Sequence, residues 1–206
     1  PGEGVYAFVG MRQVDVSGNY VVWTGMNAAT MSSEIYLYDV ARGSVTPLTN
    51  DQAYQMSPSI SDNRVFWINA DMATRKGEIY WYNIANGHTG SLLEDASINQ
   101  VFPTAGGDTL VWLDDGRISG YLDLRWLSPI SGGNTTRLIS PSNTTISSPP
   151  AVSSDGRLIV WVAESDGSFT LYMKDTTARG TQQITGEGAM PANPAVDGDY
   201  IVWTDY

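Results

Sequence analysis

Acid–base or nucleophilic catalysis needs a small set of side chains at workable spacing, and this 206-residue chain supplies few of them. Its single histidine, His88, directly follows Asn86-Gly87. That pair marks a tight turn, so His88 is expected in or beside a hairpin and exposed to solvent. No Gly-x-Ser-x-Gly elbow exists for it to serve, and with no cysteine the chain has no thiol nucleophile, disulfide or zinc-thiolate site. One imidazole and no thiol would leave a transition metal mostly carboxylate ligands, which suits neither zinc nor copper.

The acidic candidates are Asp114-Asp115-Gly116 and Glu164-Ser165-Asp166-Gly167. Oxygen-rich turns of this kind can hold calcium, but neither matches the spacing of a full calcium loop. Asp-Gly is also what a hairpin prefers, because glycine accepts positive φ and aspartate bonds its own backbone. The turn reading is the stronger, and no cofactor is expected. Glycosidase chemistry would require two carboxylates about 5 to 10 Å apart across a cleft, a placement that the sequence alone does not provide.

Charge and hydropathy narrow the partners. With 22 acidic against 11 basic side chains the net charge is −11. Such a surface repels polyphosphate, and no glycine-rich phosphate loop or basic patch interleaved with aromatics is present. Nucleic acid is therefore not expected. No apolar run approaches the length of a transmembrane helix. The N-terminal Pro-Gly-Glu-Gly carries neither an initiator Met nor a signal-peptide pattern, as expected of a chain processed or cut from something longer. Two sequons, Asn134-Thr135-Thr136 and Asn143-Thr144-Thr145, sit in a polar stretch and make Asn134 and Asn143 the candidate glycan carriers of an extracellular protein.

The elements that would position any site come from an internal repeat. Five segments share a turn followed by an apolar run ending in tryptophan, at Trp23, Trp67, Trp112, Trp161 and Trp203. Pro58, Pro103, Pro150 and Pro194 precede the last four of these, with Val14 in that place in the first. Alternating aromatic strands follow, seen in Glu34-Ile-Tyr-Leu-Tyr-Asp39, Glu78-Ile-Tyr-Trp-Tyr-Asn83, Tyr121-Leu-Asp-Leu-Arg-Trp126 and Thr170-Leu-Tyr-Met-Lys-Asp175. Short closing elements such as Val45-Thr-Pro-Leu-Thr49 and Gln182-Gln-Ile-Thr185 complete each unit. Four strands in about 45 residues is the period of a propeller blade.

The fold class is thus all-β, a propeller of about five four-stranded blades in one domain spanning 1–206, with repeats at about 14–57, 58–102, 103–149 and 150–190. The fifth blade, 191–206 plus 1–13, is shared between the chain ends and short of strand. One blade cannot bury its two apolar faces alone, so the five tryptophans are expected to fill the wedges between blades. Trp81 and Trp126 fall in third strands, where packing between blades is again the preferred reading. Val5, Tyr6, Ala7, Phe8 and Val9 have the character of one more strand, which either closes the ring or pairs with a neighbouring chain.

The unit Pro150-Ala-Val-Ser-Ser-Asp-Gly-Arg-Leu-Ile-Val-Trp161, followed by Asp166-Gly-Ser-Phe-Thr-Leu-Tyr-Met-Lys-Asp175 and Gln183-Ile-Thr185, resembles a TolB-type propeller repeat. The other units, with Ile-Tyr-x-Tyr-Asp in the third strand, are similar to repeats of archaeal, especially methanogen, cell-surface proteins. The third unit departs most, with Asp123 and Arg125 in an otherwise apolar strand. The resemblance implies fold more than function, since such propellers serve as binding modules, surface-layer components and parts of peptidases. The expectation is a secreted or cell-surface binding or structural module in an envelope layer, a filament, or protein or glycan recognition, and not an enzyme. The alternative is a polysaccharide-acting hydrolase or lyase, which two facing acids beside a polar groove would favour.

Overall fold

Alternation of apolar and polar residues, interrupted by turn pairs every eight or so positions, gives antiparallel hairpins. The structure, a computed structural model, describes residues 14–28, 31–92, 98–115, 122–128, 130, 137–138 and 144–206. Val5 to Val9, Asn134 and Asn143 lie outside the described residues. The first blade is the antiparallel sheet β1 (Val14–Ser17), β2 (Tyr20–Asn27), β3 (Ser32–Asp39) and β4 (Ser44–Pro47), paired in chain order. The second repeats it with β5 (Tyr54–Ser61), β6 (Arg64–Asp71), β7 (Lys76–Asn83) and β8 (Thr89–Ser91). The third has β9 (Gln100–Gly106), β10 (Thr109–Asp114), β11 (Asp123–Leu127) and β12 (Arg137–Leu138).

The fourth blade splits its inner strand into β13 (Thr145–Ile146) and β14 (Ala151–Val152), both paired with β15 (Leu158–Ser165). β16 (Ser168–Asp175) and β17 (Gln182–Gln183) complete it. Among the described residues the fifth sheet contains β18 (Pro191–Asp197) and β19 (Tyr200–Asp205). These sheets of mostly four antiparallel strands, repeated as blades, are a β-propeller.

The split in the fourth blade has a steric cause. In three inner strands the residue before the conserved-spacing proline has positive φ: Ser57 (53°), Phe102 (55°) and Asn193 (50°). At each the ladder register shifts, so a bulge carries the proline past a lost hydrogen bond. The fourth blade has Pro149 at that place, and its ring fixes φ near −65°. The bulge cannot form, and the strand breaks between Ile146 and Ala151.

The blades join by one rule, in which the tryptophan face of each packs on the opposite face of the blade before it. Ile60, Val65 and Trp67 meet Val22, Ile35 and Leu37 of the first blade. Ala105, Leu110 and Trp112 meet Phe66 and Ile79. Ile159 and Trp161 meet Val111, Leu113, Leu124 and Trp126. Val196 and Ile201 meet Val160, Val162 and Leu171. The third-strand tryptophans also pack between blades, Trp126 fully and Trp81 in part.

Trp67, Trp112 and Trp161 are buried as core residues. Two of the expected five differ. Trp203 is 38% exposed and outside the joint clusters. The buried Trp67 and Trp161, and Trp23, each face a tyrosine from the third strand, at ring-centroid distances of 6.2, 5.7 and 5.6 Å. Among the described residues no third strand stands beside β19 to supply one. Trp23 is only half-buried, since among the described residues no blade packs on its side of the first sheet.

Candidate funnel at the propeller axis

The five inner strands converge on a cavity of about 510 Å³ whose lining includes Phe102, Pro103, Pro150, Val152 and Pro194. Among the described residues no lysine, arginine or histidine lines it, and its carboxylates are Asp15 and Asp197. Both are already engaged in joining blades. Asp15 Oδ2 accepts from Ser59 Oγ (3.0 Å) and from the Ile60 amide (3.0 Å) of the next blade. Ser59 Oγ, one repeat on, accepts from the Ala105 amide (3.0 Å). Asp197 Oδ1 accepts from the Ser154 amide (3.1 Å) and Ser154 Oγ (2.5 Å). The inner strands thus form a collar in which a side chain of one blade satisfies a backbone donor of its neighbour. The third and fourth blades approach so closely that a Cβ on Gly106 would strike the Ser153 carbonyl oxygen.

These bonds perturb the acids. The Ser154 hydroxyl and amide hold the Asp197 carboxyl below its ordinary value. Ser153 Oγ and the Arg157 amide do the same for Asp155, and Thr177 Oγ1 and amide for Asp175. A depressed folded-state pKa contributes stability above the ordinary carboxylate range, and that stability is lost as pH falls through the folded value. Melting temperature should therefore stay level down to about pH 5 and fall below about pH 4, and Asp197→Asn should flatten part of that acid slope. An equally steep slope in the variant would show that Asp197 does not carry the linkage.

The sequence-level candidates distribute as follows. His88 lies in the turn between β7 and β8, its amide donating to Asn86 Oδ1 (3.0 Å). Asp166 and Gly167, with φ of 51° and 78°, form the two-residue turn between β15 and β16. Asp115 Oδ1 accepts the Asn99 amide (2.8 Å) at the joint of the second and third blades. Among the described residues no three His, Cys, Asp or Glu side chains converge as a metal site.

One pair of facing acids does exist. Asp114 and Asp123 stand directly opposite on β10 and β11, both fully buried. Arg125 Nε lies 2.5 Å from Asp114 Oδ2, a close approach of charges without hydrogen-bond alignment. Arg125 stands cross-strand from Trp112, where the other blades place a tyrosine. Asp123 and Arg125 stand out in sequence as departures from the repeat, whereas Asp114, which there reads as a turn residue, is their partner. Aligning the repeats would have found it, because Gly25, Asn69 and Ala163 occupy its position. None of the three lines the funnel.

No family model and no curated protein sequence matches the chain. Solved structures do. TolB from Acinetobacter baumannii superposes with a TM-score of 0.59 at 18% identity, covering 83% of this chain and 42% of that one. A puromycin hydrolase gives 0.67 at 15% identity, over 91% of this chain and 32% of that one. A nidogen/laminin complex gives 0.61 at 14% identity, over 93% and 70%. The chain spans about two fifths of the length of the Acinetobacter TolB. At these identities the likeness speaks for architecture alone, and together with the repeated sheets and joints it establishes a β-propeller, a fold shared with TolB.

Proposed function

We propose that the chain is a secreted or cell-surface protein-binding module that takes an extended, neutral or basic segment of its partner into the axial funnel. The observation that carries this is the funnel's lining among the described residues: apolar and proline-rich, negative in sign, without a cation, and with Asp15 and Asp197 both committed to neighbouring blades. Such a surface can recognise a chain by shape and sign but offers no free acid and base. Phe102, held at positive φ on the funnel wall, is the kind of strained, partly exposed residue found at binding sites. The nidogen neighbour, solved with laminin, supports a protein partner for propellers of this shape.

A photo-cross-linking residue placed at Phe102, compared with one at Ser44 on the outer strand of the first blade, tests the reading in cells that make the protein. A discrete adduct from position 102, absent from position 44, is the expected result. Phe102→Asn, which keeps a residue tolerant of positive φ, should abolish competition by the unlabelled protein. Equal adducts at both positions would remove the funnel as the site. Release of reducing sugar from polysaccharide would favour the hydrolase alternative. The extracellular reading is tested separately by intact mass of natively isolated protein, which should carry glycan at Asn134 or Asn143.

A further inference from the structure

The third strands of the first three blades each carry an acid two residues before the position that pairs with the tryptophan: Glu34, Glu78 and Asp123. Two of these acids are sealed inside the protein. Glu34 is fully buried and accepts a hydrogen bond from Ser32 Oγ (2.8 Å), and Asp123 is fully buried opposite Asp114. Glu78 differs. It is half-buried and opens on a cavity of about 550 Å³ bounded by the β6–β7 turn and by the loop that leads into β5.

The charged residues lining this cavity, among the described residues, are Asp71, Lys76 and Glu78. Asp71 serves its own turn, its Oδ1 accepting from the Ala73 and Thr74 amides (2.8 and 3.4 Å) and its Oδ2 from the Thr74 hydroxyl (2.9 Å). Lys76 has a partner of its own. The Glu78 carboxylate has none among the described residues. Directly across the strand pair stands Asn69, whose Oδ1 accepts from Gln55 Nε2 (3.2 Å), so that its Nδ2 is left to donate. Ala53, Ala73 and the exposed Met72 add apolar surface to the same cavity.

We propose that this cavity is a second docking site, which takes a basic side chain, lysine or arginine, of a protein partner. A carboxylate partly withdrawn from water is costly without a cation, and a long apolar stem ending in a positive charge matches the rest of the lining. The stem lies along the alanine methyls and the adaptable thioether of Met72, the charge meets Glu78, and Asn69 Nδ2 donates to a carbonyl of the partner's backbone. The same repeat position in the first and third blades is closed to solvent, which singles out the second blade. The site is also separate from the funnel. β5 begins beside the cavity, at Tyr54, and reaches the funnel with Ser57, Ile60 and Ser61, so the docking of a basic side chain does not require the funnel to be occupied.

The net charge of −11 attracts any cation to the surface, so the test must separate this cavity from that general field. The probe is the peptide Gly-Gly-Lys-Gly-Gly blocked at both ends, titrated into isotope-labelled protein while the amide resonances of Ala53, Ala73 and Gly77 are followed by NMR. Saturable shifts at these three amides are the expected result, and the same peptide with norleucine in place of lysine should leave them still. Glu78→Gln should weaken binding by about tenfold or more, as loss of a charge-assisted hydrogen bond does. Asp166→Asn, which removes an acid from the turn between β15 and β16, should leave the affinity unchanged. Unaltered circular dichroism and melting curves would show that both variants are folded. Equal shifts with norleucine, undiminished binding in Glu78→Gln, or an equal loss in Asp166→Asn would each overturn the proposal. n-Butylamine binding as tightly as the peptide would make the ligand a free amine and overturn the protein partner.

Discussion

Replacing Trp67 with alanine should destabilise the protein by about 3 to 5 kcal/mol, the range for removing a large aromatic from a close-packed interior. Trp67 is buried at the joint between the first two blades, where it closes a cluster with Val22, Ile35, Leu37, Ile60 and Val65. Tyr80 lies across the strand pair with its ring 6.2 Å away. No single neighbour can fill the space left behind, because the walls belong to two separate sheets. Trp203→Ala, at the equivalent repeat position, should cost well under half as much, since that side chain keeps 38% of its surface in solvent. Urea denaturation of both variants measures the contrast. Repeat arrays can unfold in parts, so a change in slope for Trp67→Ala would show the first joint opening before the rest. Equal losses at the two positions, or less than about 1 kcal/mol at Trp67, would contradict the assignment of these faces.

The contrast between Trp67 and Trp203 also shows what the sequence discloses. Strand type and order are legible because alternation is a local property, and the 44- to 49-residue spacing of the first four tryptophans announces stacked blades. The burial of any one tryptophan is not local. It depends on whether a neighbouring blade and a third-strand aromatic stand against it, and the motif around Trp203 is as complete as the motif around Trp161. The bulges at Ser57, Phe102 and Asn193 are likewise invisible as such, though the break in the fourth blade follows from Pro149 once the other three are seen. Of the candidate site, the funnel could not be read from the sequence. Its wall is drawn from five strands whose individual residues look like ordinary strand and turn.

The charged cluster of the third blade gives the second large effect. Arg125→Leu should lower stability by about 3 kcal/mol, because it removes the cation set against the fully buried carboxylate of Asp114, with a second buried carboxylate, Asp123, directly across the strand pair. Leucine fills much of the stem's volume, so the loss reports charge and not a cavity. Arg125 is 24% exposed, and solvent reaching its guanidinium keeps the effect at the lower end for a buried pair. If electrostatics is the cause, neutralising the carboxylate in the same chain should restore most of the loss. Asp114→Asn combined with Arg125→Leu is therefore expected to lie within about 1 kcal/mol of the native protein. The other blades argue the same way, since they hold the third-strand position with tyrosine and the second-strand position with a neutral residue and still pack. Denaturation of the single and double variants under identical salt decides between the explanations. A double variant no more stable than Arg125→Leu alone would mean that arginine acts through packing against Trp112, its cross-strand partner, and that the acids of β10 and β11 are held by other contacts.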